Sequence, residues 1–188
     1  MTRVLVCGGR KWGELLVARG APPDQIEAAR ALQSSQKQAV FDDLSRIMTK
    51  RVIDIIIEGG AAGADACAKS WAFRHWVKSK TYKADWKRGP AAGPMRNQRM
   101  IDDGKPDLVL AFPGGKGTLD MITRARAAGI EVIDRGEIKI GEPVWIDSAG
   151  KAPFIVKALG PTDGLWLAAP HLEQTLFERV ANVRRNDT

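Results

Sequence analysis

Three short runs of consecutive apolar residues mark the first two thirds of the chain: Arg3–Cys7 (RVLVC), Asp54–Ile57 (DIII) and Leu108–Phe112 (LVLAF). Runs of this length without polar alternation predict strands buried on both faces. Thr81–Ala84 and Glu131–Ile133 are weaker candidates for two further strands. Helical spacing fills the gaps. Val40, Leu44, Ile47 and Met48 predict a helix over about 36–50, and further helices are expected at 64–77, 92–103 and 118–128. Strands of buried type alternating with helices predict an α/β fold: a Rossmann-like open parallel sheet with helices on both faces.

Two segments depart from this rhythm. Residues 12–35 read as a surface insertion, within which Pro22-Pro23-Asp24 starts an Ala-rich helix at 24–33. After Asp134 the pattern changes to short strand-like runs, PVWID, PFIVKAL and GLWLA, punctuated by Gly141, Gly150, Gly160 and Gly164. Thr175–Val183 suits a last strand or a helix, and we take the strand. The expected organisation is a Rossmann-like domain over 1–134 and a small β-rich appendage over 135–188, a small antiparallel barrel or curled sheet.

Composition narrows the function. The 188 residues are 44% hydrophobic and 27% charged, with a net charge of +7. There is no apolar run long enough for a membrane span. The first residues, MTRVLVCGGRKW, lack the apolar stretch and cleavage site of a signal peptide, so a cytoplasmic protein is expected. Cys7 and Cys67 form no disulfide framework and lack zinc-ligand spacing. The charge is local: residues 69–99 hold nine Lys/Arg and only Asp85 as an acid, a stretch of +8. It is either a solvated basic face or a site for phosphates.

The glycines are local too. Eight of the nineteen follow the three strongest strands: Gly8 and Gly9; Gly59, Gly60 and Gly63; Gly114, Gly115 and Gly117. In an open parallel sheet, ligands bind beyond the carboxyl ends of the strands, where free N–H groups and helix dipoles favour phosphate. Pro113–Thr118 (PGGKGT) is the sharpest such loop. Thr118 either adds a hydroxyl or serves as an N-cap, and Lys116 either joins the site or faces solvent. It is not a Walker A loop, because the GK[ST] order is absent. Gly59–Asp65 (GGAAGAD) brings Ala64 to a helix start. Asp65 is placed to accept from ribose hydroxyls or to act as a helix-start carboxylate. Arg10 suits a bidentate phosphate contact. Arg96 and Arg99 are three apart on one helix face and complement a polyanion, while Asn97 suits a sugar or a base. Trp12 and Trp86 either stack on a base or pack in the core. Neither His75 nor His171 sits by a loop cluster, no nucleophilic triad is visible, and no metal or cofactor is implied.

The ordered set GGR, EGGAAGADACAKSWA, ADWKRGPAAGPMRNQRMI and GKPDLVLAFPGGKGTLDMITRARAAGI resembles the YspA/cpYpsA-related SLOG family. That family lies within the superfamily that includes LOG phosphoribohydrolases and the DNA-processing protein DprA. The resemblance covers about residues 1–11 and 36–134. It implies a Rossmann-like domain binding a nucleotide or nucleotide-derived signalling ligand. Two features bear on activity. LOG enzymes carry PGGxGTxxE, whose glutamate assists N-glycosidic cleavage; here that position is Met121, with Asp120 beside it. RNQRMI is similar to a DprA-like segment, which permits single-stranded DNA binding, although an aromatic-interleaved basic groove is not evident from the sequence.

The leading expectation is therefore a nucleotide-ligand sensor or sequestering protein. The phosphate sits on Gly114–Thr118 under Arg10 and Arg96, and the ribose near Gly59–Asp65. A nucleotide N-glycoside hydrolase using Asp65 or Asp120 with Arg96, and a DNA-binding protein, are the alternatives. The neutral tail, with Trp145 and Trp166, is expected to pack on the domain or to form an oligomer interface, and a homo-oligomer is expected.

Overall fold

The computed structural model describes residues 1–136 with their side chains and, beyond them, the backbone of five short strands. The chain divides into two compact units, Met1–Gly136 and Glu137–Thr188. The first is a five-stranded parallel sheet built from β1 (Thr2–Cys7), β2 (Ile53–Glu58), β3 (Lys78–Thr81), β4 (Leu108–Ala111) and β5 (Glu131–Asp134), in the order β3-β2-β1-β4-β5. It carries four helices: α1 (Pro23–Lys50), α2 (Ala64–Arg74), α3 (Ala92–Asp102) and α4 (Lys116–Ala127). This is the Rossmann-like α/β architecture that the strand–helix alternation predicts.

Period-2 alternation along β1 divides the core into two layers. Val4 and Val6 pack with Val40, Leu44 and Ile47 of α1 and Ala68, Trp71 and Ala72 of α2. Leu5 and Cys7 point the other way, onto Met100 and Ile101 of α3 and Met121, Ile122 and Ala125 of α4. β1 is central, with Leu5 opposite both Ile57 of β2 and Val109 of β4. The strand order reverses at β1, so the crevice between the β1 and β4 carboxyl ends is the topological switch point of the sheet.

Three elements of the first unit differ from their expected bounds by three residues or more. Residues 23–50 form one 28-residue helix rather than helices at 24–33 and 36–50. The Gln33-Ser34-Ser35-Gln36 junction holds neither Gly nor Pro, and serine costs a helix well under about 1 kcal/mol. Residues 12–35 are thus a loop plus the first half of α1, moored where Trp12 Nε1 and the Gly13 N–H donate to the Gln36 carbonyl (3.0 Å) and side-chain oxygen (2.7 Å). β3 starts at Lys78 rather than Thr81, because an edge strand with exposed Lys78, Ser79 and Lys80 carries no apolar signal. α2 stops at Arg74 rather than 77, with Trp76 in a left-handed turn (φ 57°).

The second unit is an antiparallel sheet of β6 (Pro143–Ile146), β7 (Phe154–Leu159), β8 (Gly164–Ala168), β9 (Thr175–Arg179) and β10 (Val183–Arg185), ordered β10-β6-β7-β8-β9. Residues 175–179 are a strand, not a helix. The Trp145 and Trp166 side chains and His171 lie outside the described residues. No helix among the described residues is long and apolar enough to cross a membrane.

Candidate functional site

At the carboxyl ends of β1, β2 and β4 the three glycine loops close around one cavity of about 480 Å3. They pack on one another before they meet any ligand. The Gly9 N–H donates to the Pro113 carbonyl (3.0 Å), joining the first loop to the third. A Cβ on Gly63 would lie 2.2 Å from the Gly9 carbonyl oxygen, and one on Gly114 would lie 2.2 Å from Thr118 Oγ1. Gly8 rests on Ala64, with 2.6 Å between their Cβ positions. Half of the eight loop glycines, Gly8, Gly9, Gly63 and Gly114, therefore serve contact between loops. Gly115 and Gly117 are different: a Cβ at either would meet open space.

Of the residues singled out in the sequence, Gly8, Gly9, Arg10, Gly59, Asp65, Arg96, Asn97, Gly115, Gly117, Thr118 and Asp120 line the cavity. Four others do not. Ala64 is buried beneath Gly8, and Gly63 and Gly114 are held between loops. Gly60 turns towards Thr81 and Lys83 on the sheet edge. Arg99 also leaves the site: its guanidinium lies 5.8 Å from the centre of the Tyr82 ring and 4.0 Å from Asp103. Three residues along α3 set Arg99 about 4.5 Å further along the helix axis than Arg96, beyond the cavity that Arg96 lines, so the two arginines do not converge there.

The start of α4 is the most anion-receptive part of the wall. Its N-cap, Gly115, supplies no side-chain cap, and the first turn holds no acid. As the first two helical residues, Lys116 and Gly117 have N–H groups with no intrahelical acceptor. Thr118 is the third helical residue rather than the N-cap, and its N–H bonds the Gly115 carbonyl (3.0 Å). Lys116 lines the same wall. Arg10 lies with its guanidinium 5.3 Å from the centre of the Trp86 ring, a cation–π contact that sets a half-exposed indole at the cavity. Trp12, by contrast, packs on Phe112 in the core.

The α2 wall has the opposite sign. Asp65 is only 5% exposed, and its Oδ2 accepts from the Gly59 N–H (3.0 Å) and the Ala61 N–H (3.1 Å). Oδ1 has no hydrogen-bond partner among the described residues. Burial pushes the carboxyl up to about 6, against the pull of those N–H bonds and of Arg96. Glu58, which the sequence reading passed over, is buried at the end of β2. It accepts from the Gly60 N–H (2.5 Å) and from Thr81 Oγ1, bracing the loop against β3. Its signal was its place directly before Gly59-Gly60. Cys7 also lines the cavity, and burial, with Asp65 and Asp134 nearby, holds its thiol far above the ordinary range, so it is no nucleophile.

Arg96 and Asn97 are more committed than the sequence suggests. Arg96 Nη1 donates to the Gly59 carbonyl (2.5 Å) and the Tyr82 carbonyl (3.3 Å), and Nε donates to Asn97 Oδ1 (3.0 Å). Only Nη2 is without a partner among the described residues. Asn97 Nδ2 donates to the Gly117 carbonyl (3.0 Å) and to Asp120 Oδ2 (2.8 Å). Asn97 therefore ties α3 to the start of α4 and has no free amide N–H with which to read a base. Asp120 also accepts from Arg124 Nε (2.9 Å). Burial raises its carboxyl, but the Arg124 and Asn97 hydrogen bonds outweigh this and hold it below the usual range. Met121 is buried in the layer under α4 and presents no acid or base.

A family model described as the YspA, cpYpsA-related SLOG family matches residues 2–89, running through the 12–35 segment set aside above as an insertion. Over 145 residues the chain is 32% identical to the gene 61 protein of Mycobacterium phage D29, an alignment covering 73% of this chain and 98% of that protein. The chain belongs to the YspA/cpYpsA-related SLOG family.

Proposed function

We propose that the cavity binds a nucleotide-derived ligand and that the protein serves as its sensor or sequestering protein. Family membership supports a nucleotide-related function in general. The observation that carries the finer reading is the polarity of one cavity. Its α4 wall offers uncapped N–H groups, Lys116 and Arg10, while its α2 wall offers a buried carboxylate with a free oxygen. A phosphate suits the first wall and ribose hydroxyls suit the second. Trp86 gives a base a face to stack on. Arg96 adds charge but chiefly positions Gly59, so Arg96→Ala is expected to disturb the loop as well as the ligand.

Gly117→Asp tests the phosphate assignment. Its Cβ enters open space, and an acid in a first helical turn is favourable to the helix, so the melting temperature should not fall. Affinity for the nucleotides bound by the wild type, in a calorimetric panel of nucleoside monophosphates, cyclic nucleotides and ADP-ribose, should fall more than about tenfold. Unchanged affinity would refute the assignment. Mass spectrometry of small molecules that copurify with the protein identifies the natural ligand.

A second reading, N-glycoside hydrolysis, is favoured by one observation. Asp65 and Asp120 line the same cavity with their carboxyls pushed in opposite directions, the pattern of an acid beside a persistent carboxylate. Release of free base from the panel, followed by chromatography, supports hydrolysis, and recovery of intact nucleotide supports binding alone.

A further inference from the structure

At the amino end of β3, the opposite pole of the sheet from the cavity, α2 ends in an unusual way. The Val77 N–H donates to the Ala72 carbonyl (2.9 Å) and the Trp76 N–H to the Phe73 carbonyl (3.4 Å). These two bonds make a Schellman stop with Trp76 at the left-handed position normally given to glycine. A bulky side chain there is a backbone outlier, and such strain persists where function retains it. Trp76 gains no compensating burial, because it is 96% exposed. Phe73, in the same turn, is 84% exposed.

The surroundings are basic. Residues 69–80 contain Lys69, Arg74, Lys78 and Lys80 and no acid. All four are exposed, and none is in an ion pair among the described residues; Arg74 lies 5.1 Å from the centre of the Phe41 ring and Lys80 lies 4.7 Å from that of Tyr82, contacts that leave their charge without a carboxylate. Lysines alone would be explained as protection of an edge strand. They do not explain two bare aromatic side chains beside them. A protein-docking face would instead be depleted of lysine at its centre. Aromatic faces set among cations that hold no carboxylate are the chemistry that holds a flexible polyanion with stackable bases.

We propose that Phe73 and Trp76, flanked by Lys69, Arg74, Lys78 and Lys80, form a docking surface for single-stranded nucleic acid, separate from the nucleotide cavity. The bases stack on the two aromatic side chains, and the phosphates run along the lysines. The surface reads no sequence, since every base has a face to stack.

The test uses the full chain and fluorescently labelled oligothymidylate and oligouridylate of about 16 nucleotides. Anisotropy should report binding at low salt, with a log–log salt slope near −3 if all four cations contact phosphate. Comparing the two oligonucleotides separates DNA from RNA as the preferred strand. Trp76→Gly should weaken binding about tenfold or more while raising the melting temperature, because glycine suits the left-handed position. The double variant Lys78→Glu, Lys80→Glu should lower both affinity and slope. No binding of either oligonucleotide at low salt would overturn the proposal, as would equal affinity of wild type and Trp76→Gly. Self-association in sedimentation that Trp76→Gly abolishes, without oligonucleotide binding, would assign the patch to a second copy of the chain and also overturn it.

Discussion

Asparagine at position 65 is expected to make the protein more stable at pH 8, by about 2–3 kcal/mol, and to weaken its hold on the ligand. In the folded chain the Asp65 carboxyl is pushed up to about 6, whereas the ordinary value is 3.8. Each tenfold difference in proton affinity between folded and unfolded chain is worth about 1.4 kcal/mol. The sign follows from a folded value that is raised. Below about pH 4 both states carry the proton and Asp65 costs nothing. As pH rises through about 6 the folded carboxyl must ionise while buried, and stability is lost. Asparagine never ionises, yet its side-chain oxygen can still accept from the Gly59 and Ala61 N–H groups that hold the loop. The gap between variant and wild type should therefore be small near pH 4 and largest above pH 7, in urea unfolding at the two pH values. A variant no more stable than wild type at pH 8 would contradict the burial argument. Nucleotide affinity at pH 8 should fall about tenfold, because a neutral acceptor holds a hydroxyl less strongly than a carboxylate. A group that lowers stability and raises affinity is the pattern of a site residue.

What the sequence discloses and conceals follows from where the physical cause lies. RVLVC, DIII and LVLAF are legible as strands because each is covered by helices on both faces and needs apolar side chains throughout. β3 is nearly silent, since its outer edge has no partner strand among the described residues and its lysines suit that exposure. The glycine clusters are legible as loops at strand ends, but their purpose is not. Proximity to a ligand and proximity to another loop demand the same residue, and only the folded chain separates Gly117, beside open space, from Gly63, pressed onto the Gly9 carbonyl. Arg96, Asn97 and Arg99 mark the same limit. Their spacing on α3 is visible in the sequence, but the inward bonds to Gly59 and Gly117, and the departure of Arg99 towards Tyr82, depend on which neighbours the fold brings up. Asp65 is visible as a helix-start acid, whereas its altered proton affinity arises from the walls around it. Trp76 reads as one more apolar residue near a helix end, and its cost appears only with its backbone angle.

Alanine at position 63 is expected to be among the most damaging single methyl groups in the first unit, costing about 4 kcal/mol. Gly63 has φ 78° and ψ −130°, a conformation that residues with a Cβ rarely adopt. Its Cβ would also lie 2.2 Å from the Gly9 carbonyl oxygen and 2.8 Å from that of Arg10. Both are main-chain atoms in a loop that is itself bonded to Pro113, so neither can swing aside as a side-chain tip would. Relief requires the second loop to part from the first, which also moves the start of α2. Strain of about 1–3 kcal/mol joins the cost of that separation, against a total stability of about 5–15 kcal/mol for an ordinary domain. The first unit should consequently unfold at much lower urea concentration, and nucleotide binding should be lost with it. Gly117→Ala is the matched control. Its Cβ meets nothing within 4 Å, and it replaces glycine in the first turn of a helix, so it should be neutral or stabilising by up to about 1 kcal/mol. If Gly63→Ala unfolds within 1 kcal/mol of wild type, a limit set by ordinary surface substitutions of about 0.5 kcal/mol, the loops are not packed on one another. The cavity wall would then not hold its shape.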